Sequence, residues 1–60
     1  MRADNIRVGD RLKLKPDNPY GFGPEILTVA AITYSPGYKT PWLYVQDWGS
    51  FRPKDFARHA

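Results

Sequence analysis

The sequence contains no cysteine. Disulfide staples and thiolate metal ligands are therefore excluded. Small secreted domains usually depend on such staples, so the expected location is the cytoplasm. Long apolar runs are also missing. Val29-Ala30-Ala31-Ile32 falls far short of the roughly 18 to 20 residues that cross a bilayer. The opening residues, Met1-Arg2-Ala3-Asp4-Asn5, are polar and carry no targeting pattern, and no membrane partner is expected.

Catalytic chemistry is equally sparse. The one histidine, His59, reads as a solvated tail residue with no nucleophile placed beside it. Asp and Glu are scattered, with no spacing that suits a carboxylate pair or a metal site. Gly21-Phe22-Gly23 lacks the third glycine and the following helix of a phosphate loop, so it reads as a turn. The expectation is a non-catalytic protein with no metal and no cofactor.

What is present is aromatic and cationic. Three Phe, two Trp and four Tyr stand in 60 residues, with six Pro. A chain of this length buries only about 60% of its unfolded surface, and large rings fill a small core efficiently. The same rings build binding faces. Nine basic against six acidic side chains leave a net charge of +3, a mild excess compatible with simple solubility.

Along the chain, "RLKLK" (11–15) alternates apolar and basic residues after Gly9-Asp10. Period two predicts a strand with one buried face. "PDNPYGFGPE" (16–25) has three Pro and two Gly and predicts a long loop bearing Tyr20 and Phe22. "ILTVAAITY" (26–34) is β-branched and predicts one strand. A bulge or sharp bend near Ala30-Ala31 would bring Leu27, Val29 and Ile32 to one inner face. After the loop "SPGYKTP" (35–41), "WLYVQ" (42–46) turns Leu43 and Val45 one way and Trp42, Tyr44 and Gln46 the other. Asp47-Trp48-Gly49 predicts a turn, leading to a short strand over 50–52. Pro53-Lys54-Asp55-Phe56 predicts a 3₁₀ turn, because proline suits its first position. Residues 57–60 either add a last short strand or fray.

This pattern predicts an all-β protein: one domain over 1–60, a small five-stranded antiparallel barrel with a 3₁₀ turn near its end. "VGDRLKL" resembles the first strand of KOW-like and Tudor-like barrels, and "SFRPKDF" resembles the end of an SH3 domain. The chain thus resembles an SH3-like barrel. The resemblance implies that 15–25 takes the place of the RT loop and 35–41 that of the n-Src loop. It implies that Tyr20, Trp42, Pro53 and Phe56 occupy the positions of the peptide groove. The Ala-Leu-Tyr-Asp-Tyr strand of SH3 domains is absent, so the resemblance bears on architecture more than on proline-rich ligands. Short barrels of this composition also look like accessory proteins of phages and mobile elements.

Two surfaces are candidates. An aromatic one, Tyr20, Phe22, Trp42, Trp48, Pro53 and Phe56, would dock on a protein partner, since Trp and Tyr dominate interface hot spots. Phe51 and Phe56 also read as core filler. Trp48, set in a turn, is expected to be at least partly exposed and to belong to the contact surface. The alternative is a nucleic-acid surface of Arg7, Arg11, Lys13 and Lys15, joined by Lys39, Arg52 and Lys54. Tyr34, Tyr38, Tyr44 or Trp48 would interleave with these cations for stacking. A solvated strand face must carry polar residues in any case, and lysine also guards edge strands. The aromatic excess outweighs the charge excess, which favours the protein partner. A homo-oligomer is a further option, because exposed edges and rings invite pairing.

Overall fold

The computed structural model describes residues 1–60 and contains six strands and two 3₁₀ turns. In the first sheet, β1 (Arg11–Leu14) lies between β2 (Ile26–Thr28) and β6 (Phe56–His59), antiparallel to both. The second sheet is a meander of β3 (Ala31–Thr33), β4 (Trp42–Val45) and β5 (Gly49–Phe51). The 3₁₀ turns are Ala3–Asn5 and Pro53–Asp55. The protein is all-β, and no helix is long and apolar enough to cross a membrane.

The period-two patterns position the core. Leu12 and Leu14 are fully enclosed while Arg11 faces water, and Leu43 and Val45 are buried while Tyr44 is exposed. Ile6, Leu27, Val29, Phe51 and Phe56 complete one cluster that draws on both sheets. Burying each such side chain contributes about 1.5–3 kcal/mol. Pro53 is buried as well, at the start of its turn.

The expected five-stranded barrel is corrected to six strands in two sheets that do not close. The reason lies in residues 26–34, which do not form one strand. The Val29 amide donates to the Asp10 carbonyl (2.9 Å), beside the first sheet. The next amide, Ala30, donates to the Tyr44 carbonyl (2.7 Å) in the second. Adjacent residues thus serve different sheets, and the small Ala30-Ala31 pair sits at the corner. Leu27 and Val29 are buried and Ile32 packs partly buried against the core, as the bend predicts. Residues 56–59 do not fray: they form β6, with a register shift against β1 between Lys13 and Leu14.

Candidate docking surface

The loop between β1 and β2 carries its own frame. Pro16, Pro19 and Pro24 each restrict φ. At the centre, Asn18 Nδ2 donates to the carbonyls of Lys15 (2.9 Å) and Phe22 (2.8 Å). Its Oδ1 accepts from the amides of Tyr20 (3.1 Å) and Phe22 (3.3 Å). One side chain therefore uses both its donor and acceptor ends to shape the loop.

Asp55 ties that loop to the body. The Tyr20 hydroxyl donates to Asp55 Oδ2 at 2.8 Å, and the Arg52 amide donates to the same oxygen at 2.9 Å. The second contact is the return arm of a capping box, a carboxylate reaching back to the amide that opens the turn. The Lys15 amide donates to the Asp55 main-chain carbonyl at 2.9 Å. Asp55 is itself buried, so its carboxylate depends on these partners. Burial, and then the bond to Asp55, push the Tyr20 phenol up to about 12.

On this frame stand three rings in contact. Tyr20 and Phe22 stack at 6.0 Å, and Phe22 meets Trp48 edge-on at 5.0 Å. Beneath them, buried Phe51 takes the edge of Tyr20 at 5.1 Å and lies 6.3 Å from Phe22. Tyr20, Phe22 and Trp48 remain 41%, 38% and 40% exposed. Trp48 reaches its place through the β4–β5 hairpin. Its amide donates to the Val45 carbonyl (3.1 Å), Asp47 takes φ 70° and Gly49 takes φ 104°. Aspartate and glycine are suited to those left-handed positions. The turn tryptophan leans on Phe22, outside the core cluster, and stays partly exposed as expected.

The other aromatic candidates divide. Trp42 is half-buried and pairs with Tyr38 at 5.8 Å, and the Arg52 guanidinium lies over both rings, at 4.7 Å from Trp42 and 5.0 Å from Tyr38. Arg52 Nη2 also donates to Thr40 Oγ1, while its Nε is buried without a partner. Phe56 and Pro53 must be withdrawn from the contact surface. Phe56 stands opposite Leu14 across the β1–β6 ladder, which points its ring inward to Phe51 at 0% exposure, and Pro53 is buried.

The cationic candidates also need correction. Arg7, Arg11, Lys15, Lys39 and Lys54 are exposed and Lys13 is half-buried, but no tyrosine or tryptophan interleaves with them on the first sheet. Tyr44 belongs to the second sheet, Tyr34 and Tyr38 to the loop after β3, and Trp48 to the hairpin. Arg52 is committed to its rings. His59 is no loose tail residue: its Nε2 lies 3.0 Å from Asp10 Oδ2. The Asp10 carboxyl is held below its ordinary range, first by the Arg7 amide and then by His59. Sequence reasoning missed Asn18, Asp55 and Arg58. Asn18 follows Pro-Asp in a turn-rich stretch and Asp55 stands three residues after Arg52, the residue that opens the 3₁₀ turn, so both had a capping or Asx signature available.

No pocket opens in the molecule, and these rings lie partly exposed on its surface. Comparison with protein-family models, with curated proteins and with solved structures finds no match.

Proposed function

We propose that this protein is a non-catalytic SH3-like module that docks on a protein partner through Tyr20, Phe22 and Trp48. The strand order supports the SH3-like reading. A bent segment feeds both sheets, a long loop joins β1 to β2, and a 3₁₀ turn joins β5 to β6. The observation that carries the docking reading is the three-ring surface, with Tyr20 and Phe22 held by Asn18 and Asp55 and Trp48 set by the β4–β5 hairpin. Rings held in one arrangement lose little freedom on binding, so their burial is realised as affinity. Half-exposed aromatic clusters on a rigid frame match the composition of interface hot spots.

The test is affinity capture by the immobilised chain, followed by measurement of the dissociation constant for any purified partner. Trp48→Ala and Phe22→Ala should each weaken binding about 30-fold, the scale of a hot-spot truncation near 2 kcal/mol. Lys39→Gln should leave it unchanged. Equal binding by the wild type and both ring variants, with their folds intact by NMR, would refute the reading.

A further inference from the structure

We infer that the outward face of the first sheet is a second contact surface, one that takes the phosphate backbone of a nucleic-acid duplex. This inference is independent of the aromatic surface. The register places Ile26, Lys13 and Arg58 in one row across β2, β1 and β6, with Thr28 and Arg11 in the next. Cross-strand partners share a face, so Lys13 and Arg58 present like charges side by side. No carboxylate pairs with Arg11, Lys13 or Arg58: the ion pairs are Arg2 with Asp4 and His59 with Asp10. Asp10, the acid nearest Arg11 and Lys13 in sequence, is occupied by His59 and the Arg7 amide, and Asp55, nearest Arg58, by Tyr20 and the Arg52 amide.

Solubility alone does not account for this arrangement. A face that needs only to be polar gains by mixing signs, because opposed like charges destabilise a sheet. Lysine often guards an edge strand, but Lys13 lies on β1, the central strand of its sheet. The outward positions hold three cations, a threonine and an isoleucine, with no acid and no ring. Absence of rings separates the classes of polyanion. Single-strand binders stack bases on aromatic side chains, whereas duplex backbones require only cations and hydrogen-bond donors. Charge complementarity without a stacking platform favours the duplex.

The test is fluorescence anisotropy of the whole chain with a labelled 20-base-pair DNA duplex and with the same strand alone, at several salt concentrations. Three phosphate contacts give a log–log salt slope of about −2.7, so affinity should fall about 40-fold from 50 to 200 mM salt. Lys13→Gln with Arg58→Gln should leave a slope of about −0.9, a fall of about 3.5-fold over the same range. Lys39→Gln should bind as the wild type does. Tighter binding to the single strand, equal binding to polyglutamate, or an equal loss in Lys39→Gln would overturn the inference. So would no binding to duplex at 50 mM salt by a chain whose NMR spectrum shows it folded.

Discussion

Replacing Tyr20 by Phe removes one oxygen and tests the joint between the long loop and the 3₁₀ turn. The lost group is the hydroxyl that donates to Asp55 Oδ2 at 2.8 Å. The ring itself, with its contacts to Phe22 and Phe51, is retained. A hydrogen bond to a charged group contributes about 1.5–3 kcal/mol, and the part-buried setting places this one near 1.5. A 60-residue domain has a total stability of about 3–9 kcal/mol, so the loss is a large fraction of the whole. With a urea m-value near 1 kcal/mol/M, the midpoint should move down by about 1.5 M. Tryptophan fluorescence reads the transition, since Trp48 touches the loop. Alkaline pH supplies a second readout. The folded phenol titrates near 12 against an ordinary 10, so folding favours its protonated form. That contribution is complete below pH 10 and is lost as pH rises toward 12. The stability difference between wild type and Tyr20→Phe should therefore shrink over that window. Equal midpoints at pH 7, with the loop unmoved, would refute the claim that Asp55 anchors it.

Asn18→Ala should cost about 1–2 kcal/mol and speed amide exchange at Tyr20 and Phe22 first, because both amides lose their acceptor. Exchange rates unchanged at those two amides would contradict the hub role. Arg58→Glu should raise thermal stability by a few tenths of a kcal/mol, since it replaces a like-charge neighbour of Lys13 with an opposite one. A lower melting temperature would show that the two cations do not face each other. Asp10 is held below its ordinary range, so its contribution is present above about pH 4 and is lost as pH falls through the folded value. Urea midpoints of wild type and Asp10→Asn should converge as pH falls through the lowered folded value of Asp10; a constant gap at all acidic pH would sink that assignment.

Much of the fold was legible because period two is a strong signal. Leu12, Leu14, Leu43 and Val45 lie inside as their alternation requires. The corner at Ala30-Ala31 was visible as a break in parity, but not that it would split one strand between two sheets. Whether a bulge or a full turn results depends on which carbonyl each amide meets, Asp10 or Tyr44, and that is a tertiary fact. The surface was less legible. Phe22 and Phe51 are both phenylalanines in short segments, yet one is exposed and the other enclosed. Proximity decides this, and proximity between residues 20–22 and 48–55 is not written in local pattern. Arg58 escaped notice because its role depends on a register with Lys13 far away in the chain.

The bent segment at Val29-Ala30 also has a kinetic meaning. The second sheet is a meander whose strands follow one another from Ala31 to Phe51, so its closures are short. The first sheet needs Leu14 to find Phe56, a pairing that encloses the entire meander. Long closures cost more chain entropy before they return any contact. We expect the meander to assemble first and to carry the corner with it, leaving β1 and β6 to join last. Mutations at Leu43 or Val45 should then slow folding, while mutations at Leu14 should chiefly hasten unfolding, a contrast that stopped-flow chevrons would reveal or deny. On that schedule the aromatic loop, slung between β1 and β2, is tied to the body only when Asp55 arrives, so the proposed docking surface is among the last parts of the molecule to be completed and among the first to be lost.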